Sequence, residues 1–225
     1  MTGNMGKLVV IEGIDGSGKS TQFELLCKRL VSENVFFSHI TFPRYDNPSA
    51  AMIKLYLDGK FGNSPNSVNA YAASSFFAAD RFASYKEDWG EYYQSGGLVL
   101  MDRYTTSNAI HQGAKLAKAE RERFFKWLYE YEFELLQLPA PDLVLYMDIN
   151  AKQAAARISK RHAETGAGKD IHEEDTSFLE KCAECGKHAA KYFKWKMISC
   201  FSDSTERDLQ DIHKEVYEHL KLLIT

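Results

Sequence analysis

The chain has 225 residues, is 44% hydrophobic, and carries 28 Lys and Arg against 31 Asp and Glu, for a net charge of −3. That balance provides no bulk attraction to nucleic acid or to an anionic membrane surface, so any phosphate binding must be local. The longest apolar runs fall far short of the roughly 20 residues that a membrane-spanning helix needs, Met1 to Lys7 lacks the pattern of a secretory leader, and four scattered cysteines make no disulfide framework, all of which points to the cytoplasm.

In chain order, the aliphatic run Lys7–Glu12 reads as a strand, and Gly13-Ile14-Asp15-Gly16-Ser17-Gly18-Lys19-Ser20 directly after it matches G-x-x-x-x-G-K-[ST]. Helical patterning follows from Thr21 to Val31. The chemistry of such a loop is explicit. Glycines (Gly13, Gly16, Gly18) let backbone N–H groups turn toward phosphate oxygens, the helix N-terminus adds its dipole, Lys19 supplies a point charge, and Ser20 offers a hydroxyl to Mg²⁺. Ser17 and Thr21 complete the expected ATP-binding set.

A weaker strand at Phe36–Phe42 runs into Phe42-Pro43-Arg44-Tyr45, and a helix is predicted from the spacing of Tyr71, Ala72, Ser75, Phe76, Ala79 and Phe82. Phe77 and Arg81 on that helix lie four apart and share a face. Spacing alone favours reading them as core, with Arg81 paired to Asp80 or Glu87. After a turn at Tyr92 to Gly97, the strand Leu98–Asp102 ends in a carboxylate suited to Mg²⁺, followed by Arg103, suited to a phosphate. Asp148, which ends the strand Asp142–Asp148, is the rival carboxylate and reads as a helix cap.

A helix with Phe124, Phe125, Leu128, Tyr131, Leu135 and Leu138 on its apolar face stops at Pro139 and Pro141. His162 to Asp175, with two glycines and dense charge, reads as a loose segment. Helical patterning from Thr176 to Trp195, a strand at Met197–Phe201 and a closing helix at Thr205–Ile224 complete the chain. Cys182-Ala-Glu-Cys185 lies inside a helical pattern and lacks a second pair, with His172 and His188 the nearby ligands, so neither zinc nor redox chemistry is expected of it. Strands that alternate with helices and are apolar on both faces imply an α/β fold: a doubly wound, five-stranded parallel sheet flanked by helices, of the P-loop NTPase type. With no repeat or linker, one domain over 1–225 is expected, with a mobile lid at about 157–175.

Three uses of the phosphate loop compete. A GTP switch would need an N-K-x-D or T-K-x-D string, which is absent, and an ATP-driven motor needs coupled domains that 225 residues do not hold. A kinase for a small acceptor fits best. The order Glu12-Gly-Ile-Asp-Gly-Ser-Gly-Lys-Ser-Thr21, Phe42-Pro-Arg-Tyr45, Phe77-Ala-Ala-Asp-Arg81, Asp102-Arg-Tyr104, Leu138-Pro-Ala-Pro-Asp142 and Asp170-Ile-His-Glu173 resembles that of thymidylate kinases from about Lys7 to beyond Trp195.

The resemblance implies phosphorylation of dTMP by ATP with Mg²⁺ at Ser20 and Asp102, in a homodimer. It implies Lys19, Asp15, Arg103 and Arg161 as the catalytic set, with Asp15 near the acceptor 3′-hydroxyl and Arg161 on the transferred phosphoryl group. Arg157 would contact adenine or phosphate. Phe77 would stack on thymine, Arg81 would contact the base, and Arg44 and Arg103 would hold the acceptor phosphate, with Phe42, Leu57, Asn108, His111, Gln112 and His172 around the nucleoside. His111 departs from the aromatic residue common there in the family. Gly16, where some members carry arginine, places the catalytic cations in the lid.

Overall fold

The computed structural model describes residues 5–165, 176–202 and 205–225. Its sheet has five parallel strands, β1 (Lys7–Glu12), β2 (Phe37–Thr41), β3 (Leu98–Asp102), β4 (Leu143–Asp148) and β5 (Lys196–Ser199), in the spatial order β2-β3-β1-β4-β5. The central strand β1 pairs Ile11 with Asp102 on one side and Glu12 with Tyr146 on the other. The chain reverses direction of winding at β1, and the loops after β1 and β3 open into the same crevice, which is where ligands bind in such sheets.

Alternation along the strands assigns the two faces. Val9, Ile11 and Leu100 join Phe23, Leu26 and Leu30 of α1 (Lys19–Ser32) in one core, while Leu8, Val10 and Val99 join Trp89, Tyr93 and Tyr104 in another. The remaining helices are α2 (Ala51–Leu57), α3 (Ala70–Ser84), α4 (Gly90–Gln94), α5 (Thr105–His111), α6 (Lys118–Tyr129), α7 (Ala151–Thr165), α8 (Thr176–Tyr192) and α9 (Leu209–Ile224). Among the described residues no helix is long and apolar enough to cross a membrane.

The helix expected from the Tyr71 to Phe82 spacing is α3, in which Tyr71 and Phe82 are exposed, Phe76 is half-buried, and the buried side carries Ala73, Ser74, Ala78, Asp80 and Arg81. Three expectations are corrected. The helix after Phe124 does not keep its 3.6-residue phase, because Glu130–Leu135 forms a wider π-type turn. Glu132, four residues after the buried Leu128, stays inside at 0% exposure, and the wider turn leaves Leu135 outside at 70%. The fifth strand stops at Ser199, since Phe201–Ser202 pairs antiparallel with Thr205–Glu206 in a separate hairpin. The last helix therefore starts at Leu209, where Asp208 caps it by accepting from the Gln210 N–H at 2.8 Å.

Candidate active site

β1 ends in Glu12, a fully buried carboxylate that accepts from the Gly13 N–H at 2.9 Å, Thr106 Oγ1 at 2.7 Å and Ser107 Oγ at 2.8 Å. One side chain thus fastens the start of the phosphate loop to the start of α5. Within the loop Gly16 and Gly18 have φ of 76° and 87°, in the left-handed region that favours glycine. A Cβ on Gly16 would also lie 2.4 Å from the Ala154 carbonyl oxygen of α7, so glycine is demanded there by both conformation and space.

Lys19 opens α1 and is buried; its Nζ lies 3.5 Å from Ile14 O and 3.4 Å from Asp15 Oδ1. Burial lowers its pKa, and the neighbouring Arg103 lowers it further. Ser20 Oγ donates to Asp102 Oδ2 at 2.8 Å, while Asp102 Oδ1 is buried without a hydrogen-bond partner. Arg103 has a φ of 70°, a left-handed conformation unusual for a residue other than glycine, and its guanidinium lies against the loop. There it pairs with Asp15 and lies 3.1 Å from His111 Nε2. Burial opposes its charge, but Asp15, Glu12 and Asp102 hold it firmly protonated.

These groups border a cavity of about 270 Å³. Of the residues expected from sequence, Asp15, Lys19, Ser20, Asp102 and Arg103 line its phosphate-loop side. Phe42, Leu57, Phe77 and Arg81 line it from β2, α2 and α3; Asn108, His111 and Gln112 from α5; and Arg161 from α7. A second cavity of about 280 Å³ lies between α6 and the starts of β4 and β5, lined by Tyr129, Phe133 and Trp195. Size does not separate the two; the convergence of charged groups does, and it favours the first.

Two expected residues do not line the cavity, and a third is not described. Arg44 does not line the cavity, because Asp80, Glu87 and Asp88 take its guanidinium at 3.1, 3.2 and 2.7 Å. Tyr45 lines the cavity in its place. Arg157 reaches the outer side of the phosphate loop, donating to Gly16 O at 3.2 Å and Ser17 O at 3.1 Å and pairing with Glu206 of the hairpin. His172 lies outside the described residues, as does the lid beyond residue 165.

Two pairings also differ from expectation. Arg81 pairs with Glu132, not with Asp80 or Glu87. Asp148 meets Lys187 at 3.1 Å, and the cap of α7 is Asn150, which accepts from the Gln153 N–H at 2.9 Å. Cys182 and Cys185 are buried against α5, Cys182 Sγ lying 3.6 Å from His111 Nδ1 and Cys185 donating to Ala109 O at 3.4 Å. Burial pushes the Cys185 thiol up to about 12 and raises Cys182 as well, so both stay protonated at neutral pH.

Asp80, 1% exposed, accepts from the Arg44 N–H at 2.9 Å and from Ser49 Oγ at 2.5 Å as well as from the Arg44 side chain. Asp80→Ala is expected to destabilise the protein by about 2 kcal/mol, because it removes the buried acceptor of the Arg44 Nε, the Arg44 backbone N–H and Ser49 Oγ, while Glu87 and Asp88 still hold Nη1. Urea denaturation reads this directly, and an unchanged midpoint would show that the network contributes no stability. Glu132 was not foreseen as a site residue, and Glu12 and Tyr45 stood only within their motifs. A carboxylate ending a strand and another inside an apolar helical stripe were the available signals.

A phosphate cradle opening onto a cavity lined by Lys19, Arg81, Arg103 and Arg161 is the arrangement of P-loop phosphoryl transferases. The Thymidylate kinase family model matches residues 11–216. Curated thymidylate kinases from Mycobacterium tuberculosis are 31% identical over 176 residues, covering 77% of this chain and 81% of theirs, and one from Arabidopsis thaliana is 30% identical over 220 residues, covering 96% and 73%. A solved thymidylate kinase from Candida albicans superposes with a TM-score of 0.69 over 97% of this chain and 92% of its own, at 23% identity, a likeness of fold. The chain belongs to the thymidylate kinase family. It is therefore a kinase, and kinases of this family use ATP as phosphoryl donor.

Proposed function

We propose that the chain passes the γ-phosphoryl group of ATP to dTMP, with ATP phosphates in the loop 13–20 and dTMP in the adjoining cavity. The observation that carries this assignment is the Lys19–Asp15–Arg103 cluster at the seam between loop and cavity, where the transferred group must pass. Phe77 offers a ring and Arg81 a donor edge for the base. Arg103, with Tyr45 rather than Arg44 beside it, holds the acceptor phosphate; Asp15 faces the sugar; and Asn108, His111 and Gln112 enclose the nucleoside. Arg161 reaches the transferred group from α7. Arg157 steadies the loop and the adenine side.

A monophosphate bears about two negative charges at neutral pH, so its oxygen is already nucleophilic and no general base is needed. Glu12, whose oxygens already serve Gly13, Thr106 and Ser107, acts as a strut. Rate enhancement comes from holding two polyanions in line and setting Lys19, Arg103 and Arg161 around the charge on the transferred group.

The unpartnered Asp102 Oδ1 beside Ser20 Oγ fits Mg²⁺, which is commonly held by one or two carboxylates together with substrate phosphates. Among the described residues no cluster of three or more His, Cys, Asp or Glu could form a protein-only cage. When bound, the ion would neutralise phosphate charge.

Tyr71 and Phe82, exposed on α3, support a homodimer through that face. The chain acts as one domain, and its four free cysteines support a cytoplasmic setting. The deciding experiment measures ADP formation from Mg-ATP with dTMP, dUMP, UMP, CMP, AMP, GMP or thymidine. Strong preference for dTMP is expected. Preference for thymidine would move the reaction to a hydroxyl acceptor and bring back the need for a base, and silence across the panel would leave a nucleotide-binding protein.

A further inference from the structure

Arg81 is a guanidinium at 2% exposure whose remaining edge opens onto the acceptor cavity. Its Nε donates to Glu132 Oε2 at 2.7 Å and its Nη2 to Oε1 at 2.6 Å. Two such bonds fix the plane of the guanidinium, not merely its position. The same carboxylate accepts from Thr105 Oγ1 at 2.7 Å and from Asn108 Nδ2 at 3.3 Å. Glu132 therefore ties α3 to α5 at the floor of the cavity. It reaches that point from the start of the wide turn Glu130–Leu135, four residues after the buried Leu128 and so on the same helix face.

The clamp decides what Arg81 shows to a ligand. Nε and Nη2 are engaged by Glu132, whereas Nη1 lies 3.5 Å from Tyr104 O, a weak contact that leaves N–H capacity toward the cavity. A guanidinium has donors and no acceptor. We infer that Glu132 is a positioning residue that sets base selectivity: it holds Arg81 as a fixed donor edge that welcomes a pyrimidine carbonyl at position 4 and disfavours an amino group there. A site built to donate discriminates strongly against a partner that cannot accept, because its buried donor is then left unpaired. Without the carboxylate, the long Arg81 side chain is free to seek other acceptors and the edge is no longer fixed. The inference rests on the cavity being the acceptor-nucleotide site.

The test compares kcat/KM for dTMP and dCMP, and KM for ATP, in the parent enzyme and in Glu132→Gln, Glu132→Asp and Arg81→Met. Glu132→Gln keeps the size of the side chain and removes its charge. It is expected to raise the dTMP KM about tenfold and to lower the dTMP:dCMP ratio by about the same factor, with kcat and the ATP KM little changed. Glu132→Asp, charged but one methylene short, is expected to fall between. A folded Glu132→Gln with the parental ratio overturns the inference, and if that variant does not fold, a parental ratio in Glu132→Asp does so. Arg81→Met separates the two readings. If it loses selectivity while Glu132→Gln keeps it, only the role of Glu132 fails; if Arg81→Met also keeps the parental ratio, the acceptor-site reading of Arg81 fails with it.

Discussion

Lys19→Ala is expected to lower kcat by about 10³-fold or more while leaving the protein folded. The two halves of this expectation have different origins. The ammonium is almost fully buried, its two contacts at 3.4 and 3.5 Å are long, and burial together with Arg103 lowers its pKa. A group whose charged form is disfavoured in the folded state adds little stability, so its removal leaves thermal unfolding near that of the parent. During transfer the same ammonium faces charge developing on phosphoryl oxygens in a water-poor site, where a fixed cation is most effective. Steady-state kinetics beside a melting curve reads both, and near-normal turnover in a folded variant removes Lys19 from the machinery.

Asp102→Asn is expected to lower kcat by about 10²-fold and to raise the Mg²⁺ concentration needed for half-maximal rate. The amide keeps the shape of the carboxylate but removes its charge from a residue 5% exposed, in which one oxygen already accepts from Ser20 and the other has no protein partner. A Mg²⁺ titration of the two proteins at saturating ATP and dTMP is the check. Superimposable curves would mean that the ion is held elsewhere.

The layout of the fold was largely legible because strands of a buried parallel sheet are continuous aliphatic runs, and β1 and β3 ended where Glu12 and Asp102 said they would. The phosphate loop was legible because its spacing encodes backbone geometry directly. What could not be read were pairings between distant segments. Arg44 follows a strand and Arg81 lies on α3, and one is taken by Asp80, Glu87 and Asp88 and the other by Glu132, choices fixed by tertiary packing. The phase slip at Glu130–Leu135 was equally invisible, since a π-type turn carries no composition mark and shows itself only in Leu135 facing outward. The helix at α3 was legible from its periodicity, but which of its faces packs inward was not.

The placement of β1 at the centre of the sheet governs how the chain comes together. Neither of its partners is the next strand in sequence: β1 pairs with residues beyond 97 on one side and beyond 142 on the other. During synthesis at roughly 5–20 residues per second, the aliphatic stretch Leu8 to Ile11 therefore emerges many seconds before either neighbour exists. Sheet closure is a late, long-range event whose loop entropy must be met before pairing rewards it. The nascent chain thus exposes the apolar strand β1 longest before its partners arrive.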